Sequence, residues 1–170
     1  LFNLYVWFEV MLIASFGMIA LGATRRELDG AVKYVALNLV ATMMLLAAIG
    51  LVHGVAGTLT LADLPGKLAA ATAADPGAAR AATAASLLLL AALAAKAGLF
   101  PLFFWLPAAY PQPPAATTAI FAALLTKAGI YAILRLFTLV FPEGPAADLL
   151  LPVAILTMVA GVIGAAAQTE

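Results

Sequence analysis

Three charged side chains lie deep inside long apolar runs. Glu9 sits in Tyr5-Val6-Trp7-Phe8-Glu9-Val10-Met11, Lys96 in Leu93-Ala94-Ala95-Lys96-Ala97-Gly98, and Lys127 in Leu124-Leu125-Thr126-Lys127-Ala128-Gly129. Runs of this length read as membrane spans, and a charge near mid-bilayer costs from about 3 to more than 10 kcal/mol. One carboxyl and two amines are groups that take up and release protons, so their chemistry points to a proton path. An amine is harder to keep charged when buried and easier to keep charged beside a carboxylate. At ~4 Å and an effective dielectric of ~20 that attraction is about 4 kcal/mol. A changing Glu9–Lys96 distance would therefore load or unload the lysine, and a released proton would pass by water to Lys127.

The elements that must hold these groups follow from composition. The chain is 66% hydrophobic and 9% charged, against about 25% charged in a soluble domain, and its mean hydropathy is +1.14. This is an all-α integral membrane protein, a bundle of about five transmembrane helices within 170 residues. The spans are expected near residues 3–22, 30–51, 83–109, 114–141 and 148–167. A net charge of zero excludes a strongly basic nucleic-acid binder. The absence of cysteine removes disulfides and thiolate metal sites, and His53 lacks the partners a metal site needs. No cofactor is expected. The short loop carrying Arg25 and Arg26 is expected on the cytoplasmic side by the positive-inside rule. The connection over 52–82 then falls outside, with a short interfacial helix near 59–71 and a mobile Ala/Gly/Pro-rich linker over 69–79. The ends of the chain read as those of a piece of a longer protein.

Local sequence refines the site. Pro101 lacks an N–H, so the third span should be kinked or broken over 97–101, leaving free carbonyls beside Lys96. Gly129 is expected to loosen the fourth span next to Lys127. Arg135 lies close enough to its span's end to snorkel outward. Lys33 and Asp29 have the i,i+4 spacing of an ordinary helix-start ion pair, and His53 reads as interfacial.

At these residues the sequence resembles the proton-conducting membrane subunits shared by respiratory complex I and the multisubunit Mrp-type Na+/H+ antiporters, most of all the D subunit of the latter. Asn3-Leu4-Tyr5-Val6-Trp7-Phe8-Glu9-Val10 carries the likeness, with Lys33-Tyr34 and Asn38. So do Lys96-Ala97-Gly98-Leu99-Phe100-Pro101-Leu102-Phe103-Phe104-Trp105-Leu106-Pro107, Pro113-Pro114, and Leu124-Leu125-Thr126-Lys127-Ala128-Gly129-Ile130-Tyr131. The resemblance implies that this chain corresponds to the fifth to ninth of about fourteen helices arranged in two inverted repeats. It also implies roles. Glu9 matches the family's fifth-helix carboxylate, Lys96 the lysine of the broken seventh helix, and Lys127 the eighth-helix lysine that leads onward. Lys33 matches a sixth-helix lysine beside the path. The implied partners are other membrane subunits of a hetero-oligomeric antiporter, the lipid bilayer, H+ and Na+, in the cell (inner) membrane. A transporter component rather than an enzyme is implied.

Three other readings compete. A membrane-arm proton-pumping subunit of complex I or a related hydrogenase fits the same motifs, although the Trp7-Phe8-Glu9 and Phe103-Phe104-Trp105 runs favour the antiporter branch. A non-transporting assembly piece would use the charges only to lock helices together. A retinal pump also sets a mid-membrane lysine against a carboxylate, but needs seven helices around one lysine.

Overall fold

Helix punctuation in the sequence sets where each element starts and stops. The computed structural model describes residues 1–111 and 113–167, and among these every regular element is helical. Helix α1 spans Phe2–Ile19. Thr24 opens α2 (Arg25–Ala56) with a capping box, its hydroxyl accepting from the Glu27 N–H while the Glu27 carboxylate accepts from the Thr24 N–H. Gly57, at φ +65°, closes α2. After α3 (Leu64–Ala74), Asp75 caps α4 (Pro76–Ala97) by accepting from the N–H groups of Gly77 and Ala78, both at 2.9 Å. The segment over 69–79 is therefore the junction of two helices and not a mobile linker. Alanine is the strongest helix former, and Asp75-Pro76 supplies a cap and a first-turn proline.

The third span also departs from a simple kinked helix. It begins seven residues before the expected 83, and α4 ends at Ala97 in a Schellman turn. Leu99 N–H donates to Ala94 O at 2.9 Å and Gly98 N–H to Ala95 O at 3.3 Å, with Gly98 at φ +68°. The chain then runs irregularly to α5 (Trp105–Ala109). The break falls where Pro101 leads one to expect it, but Gly98 makes the turn. The fourth span is α6 (Ala115–Ile120), a π-helical turn over Phe121–Leu125, and α7 (Thr126–Leu139). The fifth is α8 (Pro145–Asp148) and α9 (Leu150–Ala166). Five stretches are long and apolar enough to cross a membrane, at 2–19, 25–56, 76–97, 115–139 and 145–166.

Helix α2 is the hub, packed against α1, α3, α4 and α5, while α4 also packs on α7. Gly129 does not loosen its helix. A Cβ there would lie 2.9 Å from the Ala97 Cβ and backbone N, so the missing side chain lets α7 press against the end of α4. Two apolar clusters result. One gathers Phe8, Leu45, Leu89, Leu93, Leu136 and Phe137; the other Leu12, Ile19, Tyr34, Trp105 and Phe121. Along α2 the stretch between Tyr34 and Leu45 joins them, and there the polar groups collect. Helix α9 buries none of its residues in the bundle. It is tied to the broken span through Thr157, whose hydroxyl accepts from Phe100 N–H at 3.0 Å.

Candidate functional site

Tyr34, Asn38 and Thr42 recur every fourth residue along α2, a spacing that puts all three on one face, and all three are buried. Glu9 on α1 and Lys96 on α4 meet that face. The Thr42 hydroxyl donates to Glu9 Oε1 at 2.6 Å and accepts from Lys96 Nζ at 3.0 Å. Lys96 Nζ and Glu9 Oε1 are 3.9 Å apart. Lys96 is 4% exposed and the only charged side chain among the described residues that is fully buried, whereas the Glu9 side chain keeps 25% of its surface. Thr42 stands about 25 Å along α2 from Arg25 and about 21 Å from Ala56, so the group lies near mid-helix, far from either end.

Several features keep an ammonium there. Besides the carboxylate and the hydroxyl, its Nζ lies 5.2 Å from the Phe8 ring centroid, within cation–π range. It also occupies the last turn of α4, where the helix dipole presents partial negative charge. The break in the span is what gives Lys96 a helix C-terminus in the bundle interior. Trp105, just past the break, fixes that end: its indole N–H donates to Ala95 O at 2.9 Å, and its ring packs on Tyr34 with centroids 5.2 Å apart. Beside Lys96 a cavity of about 10 Å³ is lined by Phe8, Tyr34, Asn38 and Leu125 among others. That is about the room one water needs.

The other sequence candidates lie elsewhere. Lys127 is at the centre of the fourth span, as its position within 115–139 requires, but on the bundle's outer face and exposed. Its buried neighbour Thr126 faces inward, and one residue on turns the helix by about 100°. The contact between them is long, Lys127 Nζ to Thr126 Oγ1 at 3.4 Å. Close by, the Tyr110 phenol donates at 3.2 Å to Phe121 O in the π turn. Lys127 is thus not in the Glu9–Thr42–Lys96 group. Lys33 pairs with Asp29 at 2.6 Å on the exposed start of α2, the i,i+4 arrangement its spacing predicts. Arg135 and His53 are exposed. Gln112 and the segment over 168–170 lie outside the described residues.

The resemblance of the motif residues extends to the whole chain. A family model described as NADH:quinone oxidoreductase/Mrp antiporter, TM matches residues 1–170. The chain belongs to this family. The D subunit of the Na(+)/H(+) antiporter of Bacillus subtilis is 44% identical over 115 residues, which is 68% of this chain and 22% of that protein. The D subunit of a probable K(+)/H(+) antiporter of Rhizobium meliloti is 43% identical over 110 residues, 65% of this chain and 20% of that protein. Among solved structures, the Mrp complex from Dietzia sp. DQ12-45-1b contains a chain that superposes with a TM-score of 0.71 at 35% identity, over 84% of this chain and 26% of that one. The archaeal membrane-bound sulfane sulfur reductase superposes with a TM-score of 0.75 at 29% identity, over 87% of this chain and 29% of its own. This family member therefore spans about a fifth of the length of the curated relatives it matches. Its fold is that of a multi-pass antiporter-like membrane protein.

Proposed function

We propose that this chain carries one proton half-path of a multisubunit cation/proton antiporter, with Glu9 and Lys96 as the pair that holds and hands on the proton. The observation that carries the proposal is the 3.9 Å approach of a fully buried ammonium to a partly exposed carboxylate across the hydroxyl of Thr42. Glu9, with a quarter of its side-chain surface open, is the side from which a proton arrives or leaves. Lys96 is the enclosed side. When the pair is close, the ammonium is favoured; when it separates, burial favours the neutral amine, and the proton moves on. Lys127 is the next group in this scheme. A charge at mid-span on the outer face cannot stay against lipid, so it must be met by water or by polar groups of a neighbouring membrane element, which fits an onward step. Other membrane subunits are the natural partners, the cell membrane the location, and the Arg25–Arg26 loop the cytoplasmic side. The exchanged ion is H+ against a monovalent cation. The near-equal identities to a Na+/H+ and a K+/H+ relative, 44% and 43%, do not separate the two.

The test is proton-coupled cation flux in vesicles carrying the complete parent complex. Lys96→Ala should abolish flux while the complex assembles. Lys96→Arg should also fail, because arginine stays protonated at any working pH. Wild-type flux from Lys96→Ala would remove the relay role. Wild-type flux from Lys96→Arg alone would leave only a fixed charge. The assembly-piece reading makes the opposite forecast for Lys96→Met, unchanged flux with equal or higher stability.

A further inference from the structure

We infer that Thr42 is the group through which the proton passes between Lys96 and Glu9, its hydroxyl acting as a single-step relay and not as a mere filler of the helix interface. This deepens the proposed Glu9–Lys96 pair and rests on it.

The geometry separates the direct route from the bridged one. Lys96 Nζ and Glu9 Oε1 stand 3.9 Å apart, too far for a hydrogen bond and so for a direct hop. Both legs through Thr42 are short, 3.0 Å from Lys96 and 2.6 Å to Glu9. The second has the length of a hydroxyl bound to a charged oxygen. A hydroxyl offers one proton and two lone pairs, and here it gives the one to the carboxylate while a lone pair faces the ammonium.

Four other hydroxyls of the bundle supply the contrast. Thr83, Thr138 and Thr157 each donate to the carbonyl four residues earlier in their own helix, and Ser86 to the one three residues earlier. That is the ordinary resting bond of such a residue in a helix. Thr42, 6% exposed, instead reaches to two other helices at once, bridging residues 33 and 54 positions away in sequence. It is the fourth-residue continuation of the Tyr34–Asn38 stripe, and the Tyr34 phenol, in contrast, pairs with the Ser15 hydroxyl at 2.6 Å.

The step balances without any added reactant. A Lys96 Nζ–H bond breaks as a Thr42 Oγ–H bond forms. The original Thr42 Oγ–H bond breaks as a Glu9 Oε1–H bond forms. One proton has crossed, the ammonium and carboxylate have become amine and carboxylic acid, and Thr42 is again a hydroxyl, its new proton facing Lys96. Rotation about the Cβ–Oγ bond resets it. Run in reverse, from a Glu9 carboxylic acid to a Lys96 amine, the same exchange of bonds ends in the ion pair that close approach favours, with the Thr42 proton on the Glu9 side as the structure shows it.

The experiment measures flux in vesicles with the parent complex, together with the infrared C=O band of protonated Glu9, assigned by its loss in Glu9→Gln. Thr42→Val keeps the shape and removes the hydroxyl. It should lower flux at least about a hundredfold, the low end of what a positioned proton-transfer group contributes, with assembly unchanged. The Glu9 band that rises and falls with the imposed gradient in the wild type should no longer respond. Thr42→Ser should restore both. Near-wild-type flux in Thr42→Val overturns the proposal, as does a Glu9 band that still responds there, or a serine variant as impaired as the valine one. If Thr42→Val does not assemble, Thr42→Ala replaces it: it also removes the hydroxyl and adds no bulk, and full flux from it overturns the relay. Lys96→Ala in parallel keeps the two failures apart. Wild-type flux from Lys96→Ala defeats the pair itself, whereas lost flux there with full flux in Thr42→Val defeats only the relay.

Discussion

Lys96 and Lys127 lie on neighbouring spans, each inside an apolar run, in entirely different surroundings. Lys96 has a carboxylate, a hydroxyl, an aromatic face and a helix C-terminus around it, and 4% exposure. Lys127 has one long contact to the residue before it and faces outward. The difference is made by backbone irregularity. At Lys96 the helix stops, and the turn at Gly98 lets the last side chains of α4 point into the bundle. At Lys127 the helix continues through a π turn, which sets Thr126 inward and Lys127 outward. Depth is a property of position along a span, but environment is a property of the face, and the two lysines show that one does not imply the other. The comparison also separates their control: Lys96 can be controlled from within this bundle, while Lys127 can be controlled only by what packs against it.

The largest expected effect divides the two lysines. In the parent complex, Lys96→Ala should abolish flux and shift the Glu9 infrared C=O band, because the carboxyl loses the cation across Thr42. Lys127→Ala should lower flux and leave that band where it is. If both variants shift the band equally, the two lysines share one electrostatic site, and the contrast drawn from their faces fails.

The next effect concerns the break that makes Lys96's surroundings. Gly98 sits at φ +68°, and a Cβ there would fall 2.5 Å from Leu106 Cδ1; Gly129 has the Ala97 backbone N at 2.9 Å. Gly98→Ala should cost about 1–2 kcal/mol from left-handed backbone alone. Gly129→Ala should cost about 1–3 kcal/mol, because backbone cannot yield as a leucine methyl can. Gly164, with nothing within 4 Å, should accept alanine freely. Melting temperatures of the purified complex decide the matter, and a neutral Gly129→Ala would mean that α7 does not press on the end of α4.

Much of this arrangement is legible in the chain, and the reasons for the rest are physical. Thr24-x-x-Glu27 and Asp75-Pro76 are local capping signals that a reading by hydropathy passes over, which is why the second and third spans start at 25 and 76 and not near 30 and 83. The spans announce themselves because burial in lipid needs an unbroken apolar run. Pro101 marks the break within a few residues. What local sequence does not reveal is Thr42, since a threonine among apolar residues is ordinary and its partners are 33 and 54 positions distant. The Tyr34–Asn38–Thr42 spacing is the available signal. The outward turn of Lys127 is likewise hidden, because a π turn at Phe121–Leu125 changes the face without changing the composition. Over 69–79, glycine and proline suggest a linker, but the alanines around them and the Asp75 cap decide for helix.

A smaller effect is expected at Trp105. Trp105→Phe keeps the ring against Tyr34 and removes the donor to Ala95 O. The loss should be about 0.5–1.5 kcal/mol, the net worth of one ordinary hydrogen bond, read as a lower melting temperature. If the variant melts as the wild type does, the indole N–H is not what fixes the end of α4.

The smallest effect is expected at the remaining ion pair, and it completes the contrast between faces. Lys33 and Asp29 are closer together than Lys96 and Glu9, 2.6 Å against 3.9 Å, yet their side chains are 57% and 64% exposed. Distance alone would rank the exposed pair as the stronger. Solvent screening and the cost of holding two mobile side chains reverse that order, and an i,i+4 pair of this kind contributes only about 0.3–0.5 kcal/mol. Lys33→Gln should therefore change the melting temperature of the complex barely above error, and added salt should remove even that difference. A loss of more than about 1 kcal/mol would exceed the range of exposed pairs and would mean that Lys33 is covered in the assembled protein, which would move it from the outer face of α2 to an interface.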